Sequence, residues 1–161
     1  MVKKTNVSIV IPVFNEADVL EAFHARLLES TGNLPYAFTF YYVDDGSTDG
    51  TAAHLEAMAR QDKQIHVLEL SRNFGHQAAL TAGLEHAEGD VVITMDGDGQ
   101  HPPEMLAEML NLARQGYDIV QAVRMDDQQA FSFKKATSAA FYRFINKKID
   151  AICQISDNTI N

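Results

Sequence analysis

Asp96 and Asp98 stand one residue apart at the end of Val91-Val92-Ile93-Thr94-Met95, a run that reads as a buried strand. Two carboxylates so close repel each other unless a counter-charge sits between them. A hard divalent cation with oxygen ligands, held against a bound phosphate, suits such a pair, and Gly97 between them lets the backbone turn and a ligand come near. The arrangement recurs upstream. There Tyr41-Tyr42-Val43 runs into Asp44-Asp45-Gly46-Ser47-Thr48-Asp49-Gly50, another strand-to-helix junction with acids, a glycine and helix N-cap residues. Both acid-rich strand ends point at one crevice.

The elements that must hold these ends alternate along the chain. Strands read over Val7–Val13, Phe38–Val43, Ile65–Leu70, Asp90–Met95 and Tyr117–Val123, and helices over Ala17–Ser30, Thr48–Arg60, His76–Ala87 and Pro102–Gln115, the last with proline in its first turn. A further helix reads over Phe131–Ile149, and the residues after it read as loop. Alternating strands and helices imply an α/β fold, a mostly parallel sheet with helices on both faces. Ligands of such sheets bind outside the carboxyl ends of the strands. The residues there are Pro12 to Glu16, Asp44 to Ser47, Ser71 to His76, Asp96 to His101, and Arg124.

Composition narrows the function. A chain of 161 residues with 46% hydrophobic content implies one globular domain over residues 1–161. The net charge of −9 argues against nucleic acid as a partner. The single cysteine, Cys153, rules out an internal disulfide and fits a reducing, cytoplasmic compartment. No signal peptide and no apolar run of about 20 residues is expected. Asp96-x-Asp98-x-Gln100 opens like an EF-hand loop, but its sixth position is His101 and its twelfth is Ala107, where that loop needs glycine and glutamate. No junction carries G-x-G-x-x-G or G-x-x-x-x-G-K-[ST], so the dinucleotide fingerprint and the P-loop are both missing.

Each motif alone has a plainer reading. Asp44-Asp45-Gly46-Ser47 is also a turn with a helix cap, and Asp96 and Asp98 are also caps for the helix that follows. Arg124 alone is a surface charge, His76 a helix cap, and His101 a solvated loop residue. Their conjunction at successive strand ends is what selects a site.

Three segments together resemble a known family. Val7-Ser8-Ile9-Val10-Ile11-Pro12-Val13-Phe14-Asn15-Glu16, Val43-Asp44-Asp45-Gly46-Ser47-Thr48-Asp49-Gly50-Thr51 and Met95-Asp96-Gly97-Asp98-Gly99-Gln100-His101-Pro102-Pro103-Glu104 are similar to the signatures of family 2 glycosyltransferases of GT-A, Rossmann-like fold. The stretch Arg72-Asn73-Phe74-Gly75-His76-Gln77-Ala78-Ala79-Leu80-Thr81-Ala82-Gly83 resembles the branch that loads sugars onto polyprenyl phosphates, which includes dolichyl-phosphate mannose synthases and bactoprenol glucosyltransferases.

The resemblance implies an inverting transfer of a hexose from a nucleotide-diphosphate sugar, a UDP-sugar before GDP-mannose, to a polyprenyl phosphate. It places Asp45, with Val43 and Asp44, against the nucleoside, and Pro12, Phe14 and Glu16 along the same pocket. Asp96 and Gly97 fall by the ribose, Arg124 by a phosphate, and Asp98 with Asp96 and Gln100 around Mg2+ or Mn2+. The family commonly has alanine-x-leucine around its second carboxylate, so Gly97 and Gly99 are departures that should loosen the metal loop. A nucleotide-sugar and metal-binding fragment without turnover is the rival reading. A sugar-nucleotide pyrophosphorylase is another, although it would carry a glycine-rich, Arg- and Lys-bearing loop where Pro12 to Glu16 stand.

The segment from Phe131 to Ile149 combines Phe133, Phe141, Phe144, Ile145 and Ile149 with Lys134, Lys135, Arg143, Lys147 and Lys148. Such a helix can lie on the cytoplasmic face of an anionic membrane, or pack on a core with a solvated basic face. Relatives of this branch continue past Asp157 to Asn161 into an acceptor half and membrane helices. The resemblance therefore places the general base beyond Asn161, with Asp157 as a substitute within the chain.

Overall fold

Strand β1 (Asn6–Val13) is buried at every residue after Asn6. A strand buried on both faces belongs inside a parallel sheet. The computed structural model, which describes residues 4–99, 101–123 and 152–156, places it there. With β2 (Ala37–Asp44), β3 (Ile65–Glu69) and β4 (Val91–Thr94) it forms a wholly parallel sheet of order β3-β2-β1-β4. Val13 pairs with Asp44 and Asp44 with Glu69, so the carboxyl ends of adjacent strands finish level.

Period-two alternation sends the strand side chains to two helical layers. Val10, Tyr41 and Val43 cluster with Ala79 of α3 (His76–His86) on one face. On the other, Phe40 and Tyr42 meet His24 of α1 (Ala17–Gly32) edge to face. Leu20, Phe23, His24 and Leu27 recur at three- and four-residue spacing and are all buried, which is why α1 forms and how it is oriented. Helix α2 (Thr51–Gln61) buries Thr51 and Leu55.

Contacts divide the chain into two compact units, Met1–Glu104 and Met105–Asn161. A 3-10 turn over Pro103–Met105 leads into α4 (Leu106–Arg114), whose Leu106 and Leu110 are buried. In the second unit β5 (Ile119–Val123) pairs in parallel with β6 (Ile152–Ser156), Ile119 opposite Ile152 and Val123 opposite Ser156. Among the described residues no helix is long and apolar enough to cross a membrane.

Three elements differ from the sequence reading. The residues after 149 were expected to be loop, yet 152–156 is a strand, since its ladder partner lies far away in β5 and leaves no local sign. The second helix begins at Thr51 and not Thr48, because Gly50 takes φ 101° and the Thr48 N–H is spent on the Asn15 side chain, 2.8 Å away. The helix expected from Pro102 is a 3-10 turn before it becomes α4. The helix expected over 131–149 lies outside the described residues.

Candidate functional site

Two loops at the carboxyl end of the sheet are stitched together before any ligand is considered. Asn15, which adopts φ 55°, donates its N–H to Ser47 Oγ at 2.9 Å and accepts the Thr48 N–H on Oδ1 at 2.8 Å. Asparagine tolerates this left-handed conformation better than most side chains. The Glu16 N–H donates to Thr51 Oγ1 at 3.0 Å and the Ala17 N–H to Asp49 Oδ2 at 3.1 Å. Asp49 Oδ1 in turn accepts from the Thr51 hydroxyl at 2.6 Å and the Thr51 N–H at 3.0 Å, and the hydroxyl bond is the main reason its pKa is lowered. The first turns of α1 and α2 thus share their caps.

A cavity of about 290 Å3 opens beside this junction. Pro12, Val13, Phe14, Glu16, Asp45, Asn73, Gly75, His76, Ala79, Asp96, Gly97 and Asp98 line it. Four of these are carboxylates, and no described lysine or arginine is among them. The field is therefore negative. Partial burial pushes the pKa of Glu16 up, and the charges of Asp98 and Asp49 push it further.

Of the expected residues, Pro12, Phe14, Glu16, Asp45, Asp96, Gly97 and Asp98 come together on this wall. Val43 and Asp44, also expected at the nucleoside, are not among the residues that line this cavity. Val43 is fully buried in the cluster under α3. Asp44 is fully buried and its Oδ1 accepts from both the N–H and the hydroxyl of Ser47, closing the loop as an Asx turn. Gly97 does not loosen the loop either. A Cβ there would lie 2.5 Å from Val13 Cγ1 and 3.2 Å from Ile11 Cγ2, so glycine permits a tight seat against β1. Gly99, at φ +74° with open space around it, is the conformationally permissive one. Gln100, Arg124 and Asp157 lie outside the described residues.

Of two histidines that the sequence assigned to a cap and to solvent, His76 belongs to the same wall and His101 stands beside Asp96. His76 Nε2 lies 3.6 Å from Asp96 Oδ1, and His101 Nδ1 lies 3.4 Å from Asp96 Oδ2. The backbone N–H of Asp96 also faces His101 Nδ1 at 3.4 Å. Their position just past strand ends was the one available signal. Asp45 also has partners the sequence did not reveal, the N–H groups of Phe74 and Gly75, each at 2.8 Å.

The acid set suits a hard cation. Among the described residues no three histidine, cysteine or acidic side chains stand close enough to make a complete protein cage. Mg2+ and Mn2+ do not need one when bound phosphate and water fill the remaining positions.

The profile described as Glycosyl transferase family 2 matches residues 8–159. An uncharacterized glycosyltransferase of Synechocystis sp. is 43% identical over 140 residues, 87% of this chain and 44% of that protein. The bactoprenol glucosyl transferase of Shigella phage SfV is 37% identical over 141 residues, 88% of this chain and 46% of that one. This chain spans under half the length of both relatives. A mannosyltransferase from Pyrobaculum calidifontis, solved in complex with GDP-Man and Mn2+, shares the fold with a TM-score of 0.63 at 24% identity, over 77% of this chain and 37% of that one. This neighbour shows the GT-A fold that the family resemblance implied, and the parallel sheet is the one that the alternating elements implied. Because the profile match runs through both acid-bearing strand ends and on almost to the last residue, this chain belongs to glycosyl transferase family 2.

Proposed function

We propose that residues 1–161 form the nucleotide-sugar-binding domain of an inverting glycosyltransferase that passes a hexose to a polyprenyl phosphate. The observation that carries this reading is the cavity at the carboxyl ends of β1, β2 and β4, lined by Glu16, Asp45, Asp96 and Asp98 without a described lysine or arginine. A nucleoside diphosphate would be repelled there unless a divalent cation came with it.

Pro12 and Phe14, the latter 42% exposed, offer an apolar wall for a base. Asp45 keeps acceptor capacity for a ring N–H, because a carboxylate has about four lone-pair sites and the two backbone bonds occupy only part of them. Glu16 lines the same pocket as Pro12 and Phe14, Asp96 faces the ribose, and Asp98, with Asp96 and Gln100, would hold Mg2+ or Mn2+. When bound, the metal stabilises the charge that develops on the departing nucleoside diphosphate. The acceptor phosphate oxygen attacks the anomeric carbon from the face opposite that leaving group. Arg124 adds a phosphate contact. The bactoprenol glucosyl transferase among the relatives supports a polyprenyl acceptor, and with such an acceptor the reaction would run at the cytoplasmic surface of a membrane.

A thermal-shift panel of UDP-, GDP- and dTDP-sugars, each with Mn2+ and with EDTA, tests the reading. A UDP-sugar with Mn2+ should raise the melting temperature most. No shift with any nucleotide sugar would overturn the site.

A further inference from the structure

The connection Ser71–Gly75 between β3 and α3 has no regular structure, and burial does not hold it in place. Its largest apolar residue, Phe74, is 50% exposed, and the Arg72 guanidinium lies over that ring at 4.4 Å rather than on the protein core. What fixes the connection is the neighbouring strand end. Asp45, only 3% exposed, accepts the Phe74 N–H on Oδ1 and the Gly75 N–H on Oδ2, both at 2.8 Å. Hydrogen bonds to an ionised, buried carboxylate are among the stronger ones a loop can make. Gly46 presses on the same connection. It adopts φ +70°, and a Cβ there would lie 2.4 Å from the Arg72 carbonyl carbon and 2.7 Å from the Asn73 nitrogen. The two residues that flank the clamped amides, Asn73 and His76, both line the cavity.

We propose that Asp45 is a positioning residue: its carboxylate, backed by Gly46, clamps the Ser71–Gly75 connection so that Asn73 and His76 face the bound nucleotide sugar. This role is distinct from any contact Asp45 makes with a base. It rests on the glycosyltransferase reading for the identity of the ligand, whereas the clamp itself rests only on the geometry.

Amide hydrogen exchange on the 161-residue chain, followed by NMR, separates the two. In Asp45→Asn one carboxylate oxygen becomes an NH2 that faces a backbone donor. Exchange at Phe74 and Gly75 should quicken by roughly 10- to 100-fold, the equivalent of a lost charge-assisted hydrogen bond, while the amides of β1 keep their protection. UDP and GDP should both weaken, by similar factors. Asn73→Ala should weaken UDP less in the Asp45→Asn background than in the wild type, because residues that act through one another are not additive. Gly46→Ala keeps the carboxylate but displaces the connection, and should reproduce the faster exchange and the weaker binding. Should Asp45→Asn fail to fold, Gly46→Ala decides alone. Unchanged exchange at Phe74 and Gly75 in the variant that folds would overturn the clamp. Weakening of one nucleotide alone, with normal exchange, would leave Asp45 as a base contact only and would also overturn it. If the wild-type chain binds no nucleotide, the glycosyltransferase reading fails, and the exchange data still decide whether the clamp exists.

Discussion

His24 Nδ1 lies 2.9 Å from the Tyr42 hydroxyl, inside the core that α1 forms against the sheet. Phe40 closes the other side of the imidazole, edge to face at 86°. Burial pushes the His24 pKa down, outweighing the charge of Asp62 that pulls it up. Burial also pushes the Tyr42 phenol up, so the hydroxyl keeps its proton. The pair is therefore a neutral hydrogen bond in the native state.

A pH dependence follows from linkage. The unfolded chain takes up a proton on His24 near the ordinary value of 6.5, whereas the folded chain does so only at lower pH. Stability from this group is fully present above about pH 6.5 and is lost as the pH falls through the lowered native value. Urea unfolding should give a falling free energy from pH 7.5 to pH 5. In His24→Gln, which keeps a partner for Tyr42 but cannot titrate, that fall should be shallower. An identical slope in both proteins would show that other groups govern acid sensitivity.

Gly83 lies on the buried face of α3, where glycine is usually a weak choice in a helix. Space explains it. A Cβ at this position would meet Val10 Cγ1 at 2.3 Å and Val43 Cγ2 at 2.9 Å. Gly83→Ala should therefore destabilise the fold by about 1–3 kcal/mol, despite the better helix propensity of alanine. Adding Val10→Ala should recover part of that loss, although it also removes core volume. Chemical denaturation of both variants checks this, and a stabilised Gly83→Ala protein would mean that α3 can move away from β1 at little cost.

Much of the fold was readable because its causes are local. β1 is apolar from Val7 to Val13 except at Ser8, a pattern that a central parallel strand explains, and α1 carries Leu20, Phe23 and Leu27 at helical spacing. The acids at the ends of β2 and β4 fell into one crevice because parallel strands finish on the same side. What stayed hidden depends on distant partners. Asp45 bonds amides 29 and 30 residues away, and β6 pairs with a strand from which it is separated by the whole segment after Val123. Asp44 and Asp45 are chemically identical neighbours in the sequence, yet alternation on the strand end sends one to close its own loop and the other to the cavity. Gly97 read as a source of flexibility, and only the position of Val13 reveals it as a fit to a tight space.

The remaining prediction concerns the charge of the cavity. Glu16, Asp45, Asp96 and Asp98 line it, and the pKa of Glu16 is raised first by burial and then by the charges of Asp98 and Asp49. A diphosphate entering the cavity meets repulsion of the order of a kcal/mol or more per close charge pair, even at the high effective dielectric of a partly open site. A divalent cation reverses the sign of the interaction. Binding of UDP, measured by calorimetry, should therefore weaken by at least about tenfold when Mn2+ is replaced by EDTA, a loss of roughly 1.4 kcal/mol. Asp98→Ala removes one repelling charge along with the proposed ligand, so its two effects oppose each other and can be told apart. With Mn2+ present the variant should bind UDP more weakly than the wild type. In EDTA it should bind as well as the wild type or better, because the repulsion is reduced. Equal Mn2+ dependence in both proteins would remove Asp98 from the metal site, and equal wild-type affinity in Mn2+ and EDTA would mean that the cavity meets the diphosphate without a cation.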